Sequence, residues 1–222
     1  MTVEDFIQST VEGPGALSPE ALALHDKQVA EAERALRDAR QQSEAAEQRV
    51  VLLTKRQTAI NKRLAEVKGQ VRDRSGLRAV IADLRSVKKE CERRASLEQE
   101  ERLLSDALQF LVAGDLADAE LGVFGTRLAI RRAEREWVSA KGRSETAQLW
   151  ADLAPAMRRD PSLTVQLERG GIVVEYVKKL NQIEGEIGAL ETSLAGHTDM
   201  VRDQQARLGV ITLTTENSEE HA

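Results

Sequence analysis

From Val29 to Val71 the sequence places apolar or small residues at alternating steps of three and four: Val29, Ala32, Leu36, Ala39, Ser43, Ala46, Val50, Leu53, Gln57, Ile60, Leu64, Val67 and Val71. Each helical residue turns by about 100°, so this spacing keeps all of them on one face of a helix. A strand, with a period of two, would scatter them over both faces. The pattern lasts six heptads, which commits the segment to one long helix with a narrow seam. One alternate set reads Val29, Leu36, Ser43, Val50, Gln57, Leu64, Val71, and the other Ala32, Ala39, Ala46, Leu53, Ile60, Val67. Alanine in the first half admits a close partner helix; the second half is bulkier. At about 1.5 Å per residue, fifty such residues extend roughly 75 Å.

Composition agrees with long helices. Aromatic residues make up 3% of the 222 residues and charged ones 31%. Few large side chains give little apolar area for a thick globular core, whereas narrow helical seams need less. A second seam reads Leu77, Val80, Leu84, Val87, Cys91, then, after a slip near Arg93 to Ser96, Leu97, Leu104, Leu108 and Leu111. The six residues from Val71 to Leu77 break the heptad phase, and a chain reversal through Ser75-Gly76 explains this more simply than a continuous helix. Gly114-Asp115 is read as the next break, with Asp115 as N-cap. A third seam runs from Leu116 through Val123, Ile130, Trp137 and Ser144 to Ala151; Gly122, Gly125 and Gly142 weaken it, so bends or a short break are expected near Gly142. Pro155 and Asp160-Pro161 close it. The last seam includes Val173, Tyr176, Leu180, Ile183, Ile187, Leu190, Leu194, His197 and Val201, which predicts a helix from about Ile172 to Leu208.

The expected fold is all-α, built as elongated antiparallel coiled-coil hairpins or a long helical bundle. A minor β element is weighed at 163–177, where TVQLE, RGG and IVVEYV offer a hairpin, and at 210–215. The segments expected are an N-terminal arm over 1–17, able to make two helical turns before GPG; a first hairpin over 18–113 turning near 72–76; a second over 114–209 turning near 155–171; and a polar tail over 210–222. Ser18-Pro19-Glu20 supplies an N-cap and a first-turn proline for the first long helix.

Charge is segregated. Residues 55–94 carry thirteen Lys or Arg against five Asp or Glu, whereas 1–54 carry five against ten and 95–126 one against seven. Folding the first two helices together gathers Lys62, Arg63, Lys68, Arg72, Arg74, Arg78, Arg85, Lys88 and Lys89 towards one end. Like charges repel, so something is expected to neutralise that end: an acidic helix end of a second copy, nucleic-acid phosphate, or anionic lipid. With no Phe, Tyr or Trp in the block, any nucleic-acid contact would be to the backbone and salt-dependent.

No catalytic, metal or cofactor constellation is present. The three histidines, His25, His197 and His221, and the single Cys91 give no zinc spacing. No phosphate-binding glycine loop appears; Gly170-Gly171 reads as a turn. His25 and His197 fall on seams and read as register-setting residues. Cys91 reads as a buried, inert thiol, and Glu184 and Glu191 as solvated charge. Trp137, near Arg131, Arg132 and Arg135, reads as a core anchor, or else a partner-binding one. The N-terminus lacks the layout of a signal peptide, no apolar run is long enough to span a membrane, and one cysteine suits a reducing compartment; a cytoplasmic location is expected.

These readings lead to a non-catalytic structural or adaptor protein, partnered by itself (a dimer before other oligomers) or by another protein. The coiled-coil seam that would serve includes Val29, Leu36, Val50, Leu53, Ile60, Leu64, Val67 and Val71, with Leu180, Ile183, Ile187, Leu190 and Leu194. The alternatives are nucleic-acid binding through the basic end and peripheral membrane remodelling. In length and its run of long helices the chain resembles the phage-shock-protein and ESCRT-III class in outline, without a motif that carries the likeness, and its acidic N-terminal arm is a poor lipid anchor.

Overall fold

The computed structural model describes residues 1–11, 17–73, 84–160, 162–163 and 171–207. Among these the chain is all-α and contains no strand. A short helix α1 (Val3–Val11) is followed by four long ones: α2 (Pro19–Arg72), α3 (Leu84–Phe110), α4 (Ala117–Met157) and α5 (Ile172–Arg207). A π-helical segment, Leu111–Leu116, joins α3 to α4. By contact the chain forms two compact units, Met1–Ala45 with Val123–Ala195, and Ala46–Gly122 with Gly196–Ala222.

The start of α2 follows from its sequence. The Ser18 hydroxyl accepts from the Ala21 amide at 3.2 Å, and Pro19, which has no amide hydrogen to satisfy, opens the first turn. All thirteen positions from Val29 to Val71 at heptad spacing are buried or half-buried, and nearly everything between them is exposed. At the start of α5, Gly171 adopts φ 120°, a backbone state that a side chain would strain, and its carbonyl accepts from Glu175.

In the first unit α4 lies between α2 and α5. The Ser144 hydroxyl donates to Asp26 at 2.7 Å, and Thr126 to Ser43 at 3.4 Å, so α2 runs antiparallel to α4. On α5, Tyr176 reaches Glu145, Glu184 reaches Arg135 and Glu191 reaches Arg132, which is again antiparallel. Small residues on both sides, Ala32, Ala39 and Ser43 on α2 with Ala140, Ser144 and Ala147 on α4, suit a close approach. The N-terminal arm is part of this core. Phe6 is fully buried and Ile7 nearly so, packed with Val138, Val173, Tyr176, Val177, Leu180 and Ile183. Thr2 and Asp5 cap α1 reciprocally: Thr2 Oγ1 accepts from the Asp5 amide at 3.1 Å and Asp5 Oδ2 from the Thr2 amide at 3.0 Å. The Thr2 amide, and after it the Thr2 hydroxyl, hold the Asp5 carboxyl below its usual pKa. Asn181 on α5 accepts from the N-terminal ammonium and donates to the Met1 carbonyl, both at 3.3 Å.

In the second unit α3 returns antiparallel along α2. Arg63 pairs with Glu100 at 2.8 Å, and Arg94 donates to the Asp73 carbonyl. The chain therefore reverses between Arg72 and Leu84, as the phase jump implies; residues 74–83, with the expected turn at Ser75-Gly76, lie outside the described residues.

Four sequence expectations need correction. The chain does not break at Gly114-Asp115, and Asp115 caps nothing: the helix continues as a π turn. The apolar step from Leu111 to Leu116 is five residues, and one extra residue in the turn brings Leu116 rather than Asp115 onto the buried face. No break occurs at Gly142 either. An added Cβ there would lie 2.8 Å from Tyr176 Cγ and 3.0 Å from Phe6 Cζ, so the glycine admits two aromatic rings against the α4 backbone. IVVEYV, 172–177, is helical in α5 rather than the arm of a β-hairpin; residues 164–170 and 210–215 lie outside the described set. Finally, Cys91 is exposed. The covered stripe of α3 reads Val87, Glu90, Arg94, Leu97, Glu101, Leu104, Leu108, Leu111, so Glu90 takes the place assigned to Cys91. The apparent slip at 93–96 is a continuous seam in which an ion pair replaces two apolar residues.

Candidate partner-binding surfaces

The described residues of the basic block fall on the C-terminal part of α2 and the N-terminal part of α3. Lys62, Arg72, Arg85, Lys88 and Lys89 are exposed and Lys68 is half-buried; Arg74 and Arg78 lie outside the described residues. Carboxylates within the unit take up part of this charge. Arg63 contacts Glu100 at 2.8 Å and Glu66 at 3.5 Å, and these raise its pKa, the hydrogen bond to Glu100 first. Glu90 accepts from Arg93 and lies 3.5 Å from Arg94, with its pKa lowered, chiefly by the Arg93 hydrogen bond. Lys88 lies 4.0 Å from Glu92. Because α3 runs back along α2, its acidic stretch at Glu98, Glu100 and Glu101 flanks the basic stretch of α2 instead of lying apart from it.

The first unit holds a different feature. An open groove of about 310 Å³ between α4 and α5 is lined by Arg131, Glu134, Trp137, Val138, Lys141, Tyr176, Lys179, Gln182, Ile183 and Glu186. The Lys141 ammonium sits 5.2 Å from the centre of the Trp137 ring and that of Lys179 5.8 Å from Tyr176, both within cation–π range. Arg131 is held by Glu134 at 2.6 Å and Glu186 at 3.1 Å. The Tyr176 hydroxyl donates to Glu145 at 2.7 Å, and its pKa is raised by burial first and this carboxylate second. Trp137 is half-buried against the core, which is the anchoring position read from its seam. Glu184 and Glu191, read as solvated charge, are exposed on the surface of α5 and there bridge to Arg135 at 2.8 Å and Arg132 at 2.7 Å.

His25 is half-buried on α2, its Nδ1 without a hydrogen-bond partner; His197 is half-buried on α5; His221 lies outside the described residues. Among the described residues no three His, Cys, Asp or Glu side chains cluster as metal ligands, and no helix is long and apolar enough to cross a membrane.

Of the α5 seam, Leu180 and Ile183 are buried and Ile187, Leu190 and Leu194 half-buried. Outside the seams, Leu24, Val51 and Leu52 of α2 and Leu103 and Phe110 of α3 are exposed. Sequence reasoning missed these, since a seam search records only residues in phase. It missed the packing of Phe6 and Ile7 as well, for which α1's own sequence holds the signal: TVED opens a capping box, and an adjacent apolar pair follows. The chain matches no protein-family model, no curated protein and no solved structure.

Proposed function

We propose that the chain is a non-catalytic structural or adaptor protein, which assembles with further copies of itself or docks in a larger complex through coiled-coil packing. The observation that carries this reading is on α2. Its covered face is one narrow stripe, yet Val51 and Leu52, at 51% and 65% exposure, stand outside it next to each other. Adjacent large apolar side chains on a helix otherwise clothed in charge suit a further helix. Light scattering after size exclusion tests it. The expected mass is a multiple of the 24.5 kDa chain, falling when Val51→Glu and Leu52→Glu are combined while helicity is retained. A single-chain mass for the unaltered protein overturns self-assembly.

The exposure of Arg72, Lys88 and Lys89 near the turn favours a second reading, nucleic-acid binding through backbone contacts. A salt titration with duplex and single strands checks it. The affinity should fall steeply with salt and drop when Arg72, Arg74 and Arg78 become Glu. Absence of binding at low salt removes this reading.

A further inference from the structure

The side of α2 that faces away from its covered stripe has a pattern of its own. Each residue turns the helix by about 100°, which puts Val51 and Leu52 opposite Val50 and Leu53. Gln48, Lys55, Ala59 and Lys62 continue from that pair at steps of three and four, and all are exposed. This second face is apolar at Val51 and Leu52, which are 51% and 65% exposed, and the charge of the helix changes sign there. Residues 55–72 carry six Lys or Arg against one Asp or Glu, whereas residues 31–48 carry three against five. Both stretches belong to one uninterrupted helix, Pro19–Arg72.

We propose that the occupant of this face is the α2 of a second copy of the chain, packed antiparallel about a two-fold axis between Val51 and Leu52. The inference rests on the self-assembly reading above and gives it a face and a direction. Charge decides the direction. A parallel pair in register would set Lys55 on Lys55 and Lys62 on Lys62, adding to the repulsion that the basic block already carries. An antiparallel pair sets Val51 on Leu52 twice, as a contact between identical surfaces requires. Lys55 then faces Gln48 of the second copy, with Glu47 beside it, and 55–72 runs along 31–48. The two-fold axis repeats this match of basic with acidic on its other side. The apolar centre takes only two large side chains from each copy, so complementary charge sets the orientation, and salt weakens the association.

Cysteine pairing in the full chain tests the direction, with Cys91→Ser to remove the native thiol. Gln48→Cys and Lys55→Cys are made as separate proteins and oxidised alone and as a mixture, at a concentration where light scattering of the unaltered protein gives a two-chain mass. Bridging requires Cα atoms within about 7 Å. The antiparallel pair brings 48 level with 55 of the other copy, and leaves like positions seven residues, about 10 Å, apart along the axis. The mixture should therefore give the 48–55 disulfide, read by mass under non-reducing conditions, and neither protein alone should cross-link. Disulfides in each protein alone show a parallel pair, and no disulfide in any sample shows that another face assembles. Either result overturns this proposal and leaves self-assembly standing, whereas a single-chain mass for the unaltered protein overturns both. As a readout without added cysteine, Lys55→Glu with Lys62→Glu should raise the dimer dissociation constant about tenfold, since the new carboxylates face an acidic stretch. A parallel pair would exchange lysine facing lysine for glutamate facing glutamate, and an unchanged constant overturns the proposal.

Discussion

Gly142 lies where three helices meet, and its missing side chain is what the packing requires. On propensity alone Gly142→Ala should stabilise α4 by about 1 kcal/mol. The added Cβ, however, would fall 2.8 Å from Tyr176 Cγ and 3.0 Å from Phe6 Cζ. Overpacking of this kind costs about 1–3 kcal/mol, so the steric term wins. The melting temperature should therefore fall, and Phe6→Leu should restore part of it in the double variant, since a smaller side chain yields the space. Additive losses would show that Phe6 is not the opposing group. Tyr176 offers a test in pH. Its folded pKa is raised above the ordinary 10.0, so the folded state holds this proton where the unfolded chain releases it. The contribution is fully present below pH 10 and is lost as pH rises past that value. Urea midpoints from pH 9 to 11.5 should fall more steeply for the native protein than for Tyr176→Phe, which removes the titrating group. At this scale the sequence was least legible. A glycine in a helix reads as a weak point, and nothing local reveals the ring above it. Cys91 was misplaced because an apolar-only seam search passes over Glu90 and Arg94, which lie on the covered face with partners of their own, Arg93 for Glu90 and the Asp73 carbonyl for Arg94.

At the scale of elements the reading was better. The seam of α2 was legible throughout because a three-four pattern held for six heptads leaves one face to bury. The reversal after Arg72 was legible as a phase jump. The jump at Leu111–Leu116 has the same kind of signature but a different cause: a loop can absorb any number of residues, whereas a π turn absorbs one. Its five-residue step fits the smaller device. Deletion can tell the two apart. Removing Val112, which is exposed, should convert the π turn to regular helix and keep Leu108 and Leu116 on one face. Circular dichroism should be unchanged and the melting temperature within a few degrees of the parent. Removing Ala133 from the regular part of α4 turns every later seam residue by about 100°. Trp137 and Val138 then leave their places, and cooperative melting should be lost. Equal damage from both deletions would show that Leu111–Leu116 absorbs no extra residue. The two helical turns of α1 were legible but their burial was not, because nine residues are too few for a seam to stand out; the signal there is the Thr2–Asp5 capping box and the Phe6-Ile7 pair.

For the whole molecule, net charge says less than where each sign is placed. The formal charge is −5, yet the two units use charge differently. In the first, arginines of α4 meet glutamates of α5 at Arg131–Glu186, Arg132–Glu191 and Arg135–Glu184, at 3.1, 2.7 and 2.8 Å. These are partly exposed pairs, each contributing about 0.2–1 kcal/mol and weakened by salt. In the second, Arg63, Arg93 and Arg94 have carboxylates within reach, but the block holds thirteen cations against five anions, so repulsion remains and salt relieves it. Salt should therefore act with opposite sign in the two units. The Debye length falls from about 10 Å at 0.1 M to about 3 Å at 1 M, shorter than the spacing between neighbouring exposed charges on a helix face. Between those concentrations, with chloride as anion, amide exchange over 62–72 and 85–94 should slow, while that over 131–138 and 183–191 should quicken slightly. Sulfate would confuse the comparison by strengthening apolar burial everywhere. Slowing in both regions would mean that apolar burial outweighs charge even in chloride. Quickening in both would mean that the carboxylates of α2 and α3 already neutralise the basic end, leaving no repulsion there for an acidic partner or a phosphate backbone to relieve.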